Sequence, residues 1–175
     1  MTAISEAKKA KNIEERLLEI SPFLNLNEYS ESLVILVNMA ENMSSKRMYV
    51  ANPSEGKILH SCLVMHGKGG GSDADKAIFS NTPNSLCSSL GKYKIAERYV
   101  GRFGESYRLD GLDTTNSNAR KRAIVFHYYE PQSALENIGP HFFSEGCPML
   151  AESDWRKIDK LIKKEDKPVI LWMYK

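Results

Sequence analysis

Cysteine is scarce in this sequence, the net charge is small, and no apolar stretch is long enough to cross a bilayer. The 175 residues include three cysteines and no Cys-x-x-Cys pair, so the spacing typical of a structural zinc site is missing. The net charge is +2 and no arginine-rich or aromatic-interleaved patch occurs, which argues against nucleic acid as a partner. With 42% hydrophobic and 26% charged residues, the chain has the composition of one globular domain.

The odd number of cysteines leaves at least one thiol free. Cys147 is the obvious candidate, because it lies in a motif discussed below. Cys62 and Cys87 are able to form a disulfide in an oxidising compartment, although two small, partly buried thiols are the interpretation we favour.

The N-terminal part predicts one amphipathic helix. Residues 6–20 are rich in Ala, Glu, Lys and Leu, and their apolar positions recur at near-helical spacing until Ser21 and Pro22 end the pattern. Residues 23–31 form a polar connector. We therefore expect a helix and connector over 1–31 and a separate domain over 32–175.

The domain over 32–175 is predicted to be mostly β, a sandwich or barrel of many short strands with flanking helices. Its second helix is expected to begin at Ser153 as the cap and to end near residue 164. The glycine-rich stretch 67–72 lacks both the phosphate-loop and the dinucleotide spacing, so a flexible loop at a cleft rim is expected there. The predicted strands are 32–39, a hairpin of 47–51 with 57–65, then 92–97, 99–109, a central strand at 123–129, and 168–174.

The candidate chemistry lies in the motif Ser144-Glu145-Gly146-Cys147-Pro148, with His127 upstream at the end of an apolar run. A thiol is a good nucleophile only as thiolate, and an imidazole can accept its proton. Glycine before the cysteine allows a sharp turn that points backbone N–H groups at a developing oxyanion, and proline after it stiffens that turn.

A strand that ends in histidine, followed by a loop and Ser-x-Gly-Cys, resembles the L,D-transpeptidases, the peptidoglycan cysteine enzymes. The similarity is to the branch with Gly-Cys-Pro, where the better-known branch has an arginine two residues after the cysteine. It extends from about Leu33 to the C-terminus. Further blocks that resemble this family are Val64-x-His66-Gly67, Phe79 to Pro83, Ser88 to Tyr93, Tyr107 to Leu112 and Asn116 to Val125.

The resemblance implies an L,D-transpeptidase-type β-sandwich with flanking helices, whose cleft holds Cys147 as nucleophile and His127 as base. The backbone N–H groups of Gly146 and Cys147 are the expected oxyanion donors. In this family a backbone carbonyl typically orients the histidine. The side chains expected to bind substrate are those of Ser144, His66, Arg120 and Tyr128.

Several of these roles have alternatives. His66 is equally well explained as a structural loop histidine, and a scaffold ion pair is the role we favour for Arg120. Tyr128 stands where the branch usually has glycine, and its bulk is expected to reshape the pocket. Residues 140–143 replace a segment that tends to contain arginine, so the binding of the acceptor or of a carboxylate is expected to differ. A zinc site made of His66, His127 and Cys147 has suitable ligands but no supporting spacing. No cofactor and no metal are expected.

The implied reaction is attack on the amide between the third residue of a peptidoglycan stem tetrapeptide and D-Ala, with a thioacyl-enzyme as the intermediate. A stem amine, a free D-amino acid or water then accepts the acyl group. Stem peptides are the expected partner, and a monomer is expected. The alternatives are a catalytically silent wall-binding module and a secreted antibacterial effector with the same chemistry.

The substrate implies a periplasmic or cell-envelope location in a bacterium, but the first residues do not resemble a signal peptide. Either the signal is absent from this sequence or export uses another route.

Overall fold

Eight strands form one hydrogen-bonded sheet with a helix packed on each face. The computed structural model describes residues 3–175, with side chains from residue 6 onward. The strand order is β3-β2-β1-β8-β4-β5-β6-β7, in which β1/β8 and β6/β7 are parallel and the other pairs are antiparallel. The elements are α1 (Ala3–Leu26), β1 (Val34–Asn38), β2 (Met48–Asn52), β3 (Lys57–Cys62), β4 (Gly91–Gly101), β5 (Gly104–Gly111), β6 (Val125–Tyr128), β7 (Met149–Leu150), α2 (Glu152–Ile162) and β8 (Ile170–Tyr174).

The alternation of side chains along the strands gives the sheet two buried faces. In β1, Val34 and Leu36 pack against α1, whereas Ile35 and Val37 belong to the larger core that contains Trp155 of α2. This is the period of two expected of a strand. A mainly β domain with flanking helices is therefore confirmed. None of the helices in the described part of the chain is long and apolar enough to cross a membrane.

Helix α1 is longer than predicted, because it continues through Pro22 to Leu26 instead of ending at Ser21. Proline inside a helix removes one hydrogen bond and costs about 3 kcal/mol. Here Leu24, beyond the proline, is fully buried against the sheet, and the Ser21 hydroxyl donates to the Leu17 carbonyl at 2.6 Å. Tertiary packing thus outweighs the local signal.

The boundary between β4 and β5 was also predicted wrongly. The sequence placed a break after Glu97, but β4 continues to Gly101, and the two strands form a hairpin in which Gly101 pairs with Gly104. Gly104 has φ +74°, a conformation that suits glycine at such a turn. The glycines therefore close the hairpin at Arg102 and Phe103 instead of interrupting one strand.

Two further expectations need correction. Strand β6 is not central, since only β7 separates it from the edge of the sheet. Helix α2 begins at Glu152 after Ala151, which makes no side-chain capping bond, so Ser153 lies inside the helix and is not its cap.

The three cysteines are free thiols, and Cys62 and Cys87 do not pair, as the favoured interpretation predicted.

Candidate active site

The predicted nucleophile and base line one cavity of about 620 Å³, which we call the cleft. His127 lies in β6 and pairs with Met149 of the parallel strand β7, which places its imidazole beside the loop that carries Cys147. The other residues lining the cleft that matter below are Lys68, Arg102, Phe103, Lys121, Arg122, Ser144 and Glu145.

Cys147 is held as a buried thiol. Its Sγ accepts a hydrogen bond from the Val125 N–H at 3.4 Å and lies 3.9 Å from the Ala123 carbonyl, to which it donates. Burial raises the pKa of this thiol to about 11, although the Val125 N–H and the Arg122 charge both lower it, while Glu145 raises it further. The resting group is therefore the thiol, and its use as a nucleophile requires a base.

His127 is oriented to serve as that base. Its Nδ1 lies 2.9 Å from the Tyr128 carbonyl, which can only accept, so Nδ1 carries the proton and Nε2 has a free lone pair. The expected backbone carbonyl is thus present. The Phe103 ring stacks on the imidazole with centroids 4.3 Å apart. Burial lowers the pKa of His127, which keeps the imidazole neutral and able to accept a proton at neutral pH.

No hydrogen bond joins the thiol to the imidazole within residues 6–175; both groups face the cleft from separate anchors. Catalytic hydrogen bonds are often long in a free enzyme and tighten when substrate binds. Proton transfer from Cys147 to His127 therefore needs a side-chain movement that brings Sγ within hydrogen-bond distance of Nε2.

The turn before Cys147 depends on glycine. Gly146 has φ +120°, and a Cβ there would lie 2.7 Å from the Cys87 carbonyl oxygen. Ser144 stabilises the turn, because its hydroxyl accepts from the Gly146 N–H at 3.1 Å and donates to the Cys147 carbonyl at 2.6 Å. The Gly146 N–H is thus already bonded. In the described part of the chain the Cys147 N–H has no such partner, which makes it the better placed of the two expected oxyanion donors.

The structure does not bring the other expected substrate-binding residues into the cleft. His66 is buried, and its Nδ1 accepts from Arg47 at 2.8 Å; burial and the Arg47 charge lower the pKa of His66 to about 4. Arg120 pairs with Asp110 and Glu97 at the surface. Of the four, Ser144 alone lines the cleft.

Tyr128 points away from the cleft because it follows His127 in a strand, where successive side chains face opposite sides. Its ring lies 6.0 Å from that of Trp155, and the Arg156 guanidinium lies 5.4 Å from its centre. The tyrosine that replaces the usual glycine therefore packs on α2 and leaves the cleft unobstructed.

Arg122 is a site residue that the sequence analysis missed. Its guanidinium donates to the Ser80 carbonyl at 2.8 Å, to the Ser89 hydroxyl at 2.6 Å and to the Cys87 carbonyl. These bonds hold the loop of residues 80–89 against the cysteine turn. Nothing in the spacing of the sequence distinguishes Arg122 from the nearby Arg120, because its partners lie 33 to 42 positions away.

Gly67 and Gly69 of the glycine-rich stretch 67–72 are packed closely against the same loop. A Cβ on Gly67 would lie 2.2 Å from the Leu86 carbonyl oxygen, and one on Gly69 would lie 1.9 Å from that of Ser85. The Ser88 hydroxyl accepts from the Gly67 N–H and donates to the Gly146 carbonyl. These hydrogen bonds connect the glycine-rich stretch to the cysteine turn through Ser88.

Positive charge dominates the lining of the cleft. Lys68, Arg102, Lys121 and Arg122 line it, and Glu145 is the one acidic residue among the described lining residues. Glu145 is paired with Lys68 at 3.0 Å, so the cleft keeps an excess of positive charge. Such a site attracts ligands that carry carboxylates or other anionic groups.

Thiol reactivity provides a direct test of the activation of Cys147. Exposed fractions are 9% for Cys147, 3% for Cys87 and 1% for Cys62, and Cys147 lines the cleft together with the His127 imidazole. We expect iodoacetamide at neutral pH to modify Cys147 at least about tenfold faster than the other two. Peptide mass spectrometry at timed intervals measures the three rates. Earlier labelling of Cys62 or Cys87 would contradict activation.

Comparison with known proteins points to the same family as the motifs. The family model described as the L,D-transpeptidase catalytic domain matches residues 6–174, which includes α1. No curated protein matches the sequence.

Solved structures to which the chain shows a distant similarity include the helical cell shape determining protein Pgp2 from Campylobacter jejuni and a mutant of it. The identities are 14% and 16% and the TM-score is 0.49 for both. These matches cover 93% and 91% of this chain but only 55% and 53% of those chains, so this chain spans about half of their length.

The family model covers residues 6–174 of the 175. The chain therefore belongs to the peptidoglycan-related L,D-transpeptidase catalytic domain family.

Proposed function

We propose that this protein is a cysteine acyltransferase that acts on peptidoglycan stem tetrapeptides in the cell envelope. The observation that carries the proposal is the shared cleft of Cys147 and His127, in which the Tyr128 carbonyl holds the imidazole in the tautomer that accepts a proton at Nε2. Family membership supports this chemistry and this substrate class. Cys147 is the one cysteine and His127 the one histidine among the described residues that line the cleft.

The first half of the reaction uses His127 twice. The Cys147 thiol transfers its proton to Nε2 as Sγ attacks the carbonyl carbon of the third stem residue. The negative oxygen of the tetrahedral intermediate accepts a hydrogen bond from the Cys147 N–H. When the C–N bond breaks, the imidazolium returns its proton to the leaving amine, so D-Ala departs and a thioester to Cys147 remains.

The second half of the reaction reverses these steps with another nucleophile. His127 removes a proton from the incoming group as it attacks the thioester, and Cys147 leaves as the thiol. A stem amine gives a cross-link, a free D-amino acid gives exchange, and water gives a trimmed tripeptide. All three share one acyl-enzyme.

The charge of the cleft fits the donor peptide. A tetrapeptide stem ends in a carboxylate, and Arg102 and Lys121 line the cleft that holds Cys147, whereas Lys68 is paired with Glu145. Among the described residues, Lys121 makes no ion pair, and Arg102 contacts only the Phe103 ring, at 5.5 Å. These two cations are free to bind the carboxylate of the donor.

One observation favours a second candidate, a catalytically silent wall-binding module. The Cys147 thiol has a raised pKa and is not hydrogen-bonded to His127. A protein that only binds the wall would keep the cleft and its positive charge without turnover.

Mass spectrometry of muropeptides separates the two candidates. Disaccharide-tetrapeptides are incubated with the unmodified protein, with Cys147→Ala and with Cys87→Ser as the matched control. We expect the unmodified protein and Cys87→Ser to release D-Ala, and Cys147→Ala to release none. The mass of the product then identifies the acceptor. If no variant changes the substrate while circular dichroism shows intact folds, the enzyme is excluded for this substrate. Retention of Cys147→Ala on purified sacculi would then support the wall-binding module.

A further inference from the structure

The fold brings together three residues with metal-binding side chains far from the cleft. His60 and Cys62 lie in β3, and Asp154 lies in the first turn of α2. His60 Nε2 is 2.8 Å from Asp154 Oδ1, and the ligand atoms of all three side chains lie within 4.8 Å of one another. None of the three lines the cleft. No local motif indicates this cluster, because Asp154 lies 94 positions after His60.

A β-bulge is the reason that β3 presents these side chains to α2. His60 pairs with Val50 and Ile58 pairs with Ala51, so Leu59 is an extra residue in β3. Val50 faces the core that contains α2, and Ala51 faces α1. The bulge therefore turns His60 and Cys62 toward α2 while Ile58 faces the other side. Bulges at sheet edges commonly re-aim side chains in this way, and β3 is an edge strand.

The burial of the cluster suits a partly enclosed ion. Cys62 and Asp154 are buried, while the His60 side chain keeps 20% of its surface exposed. Solvent therefore reaches the cluster from the histidine side, from which a water ligand would come. Lys157 lies 3.8 Å from Asp154 Oδ1 and is itself exposed, so its charge can move away when another cation takes its place.

We propose that His60, Cys62 and Asp154 bind a zinc ion, with water as the fourth ligand. The set offers imidazole, thiolate and carboxylate, the three donor types that zinc takes in proteins, whereas calcium and magnesium prefer oxygen alone. Thiolate and carboxylate together balance the charge of Zn²⁺, and the thiol proton is released to solvent on binding.

The geometry requires only a small adjustment. Zinc–ligand bonds of about 2.0–2.3 Å in a tetrahedron place ligand atoms about 3.3–3.7 Å apart. The His60–Asp154 hydrogen bond would open by roughly half an ångström, and Cys62 would approach the pair. The ion would tie the edge strand β3 to α2, and because it binds only the folded chain it would raise the stability of the domain.

Zinc binding is tested on the tag-free 175-residue chain after a chelator has removed any metal. Native mass spectrometry counts bound zinc, and cobalt is added as a spectroscopic probe. We expect one zinc per chain and a thiolate-to-cobalt charge-transfer band in the near ultraviolet. Cys62→Ser is expected to lose that band, and His60→Gln to weaken zinc binding at least about tenfold. Cys87→Ser and Cys147→Ala are expected to bind as the unmodified protein does.

Thermal unfolding adds a readout independent of spectroscopy, since zinc should raise the Tm of the unmodified protein but not that of His60→Gln. The proposal is overturned if the unmodified protein binds no zinc in excess metal, or if His60→Gln binds it with unchanged affinity. Because the His60 side chain is partly exposed, His60→Gln is expected to fold. It therefore decides the question even if Cys62→Ser does not fold. Retained binding by Cys62→Ser alone would also overturn the proposed ligand set.

Discussion

Replacing His127 by alanine is expected to lower kcat/KM for D-Ala release by about 10³-fold at neutral pH, within the range that general base catalysis supplies. The reason is the burial of Cys147, which raises the pKa of its thiol to about 11. With that pKa only about one thiol in 10⁴ is ionised at neutral pH. Without an imidazole to accept the proton, the reaction would depend on this small thiolate fraction.

The pH dependence of D-Ala release is expected to differ between the unmodified protein and His127→Ala. Burial lowers the pKa of His127, so in the unmodified protein the imidazole is neutral at pH 7 and above, and the rate should be flat there. The rate should fall only as acid protonates the imidazole, since imidazolium cannot accept a proton. In His127→Ala the rate should instead rise about tenfold per pH unit as the thiol ionises, up to the pKa near 11.

Initial rates of D-Ala release, followed with a D-amino acid oxidase assay across this pH range, measure both profiles. His141→Ala is the matched control, because it removes the same side chain from a position that does not line the cleft. It should keep the rate and the flat profile. A flat profile in His127→Ala would show that some other group takes the proton.

Trp155→Ala is expected to lower the free energy of unfolding by about 3–5 kcal/mol, as is usual when a large aromatic side chain is removed from a core. Trp155 is fully buried in α2. Its ring lies 5.1 Å from that of Phe126 and 5.6 Å from that of Tyr107, so it joins the helix to β6 and β5. Its Nε1 has no hydrogen-bond partner among the residues that the structure describes, so the expected loss is one of packing.

Urea unfolding followed by circular dichroism measures the change without relying on tryptophan fluorescence. Leu18→Ala is the control, since Leu18 is 72% exposed on α1 and its truncation should change stability by less than about 0.5 kcal/mol. Trp155→Phe should lie between the two. A loss below about 1 kcal/mol in Trp155→Ala would mean that the core closes around the missing ring.

The elements that the sequence predicted well are those with a strong local pattern. The apolar run of β1, the turn between β2 and β3, and the final strand β8 all lie close to their predicted positions. The errors occur where a local breaker signal competes with burial. Pro22 does not end α1, because the buried Leu24 follows it, and the glycines at 101 and 104 close a hairpin that the propensities alone do not locate.

The sequence by itself determined the family and the order of its chemical groups. A cysteine directly after a glycine, with a histidine upstream at the end of an apolar run, is a pattern in the order of residues along the chain. Such a pattern is visible without the tertiary structure. The catalytic roles of Cys147 and His127 remain predictions, although both side chains line the cleft.

Only the tertiary structure decided which other side chains reach that chemistry. Ser144 lines the cleft, while His66, Arg120 and Tyr128 do not. It also placed Phe103 on the imidazole and gathered His60, Cys62 and Asp154 beside an edge strand. Each of these contacts joins residues far apart in the chain, through strand register, a bulge or the burial of a helix. Their energies come from packing that no short stretch of sequence contains.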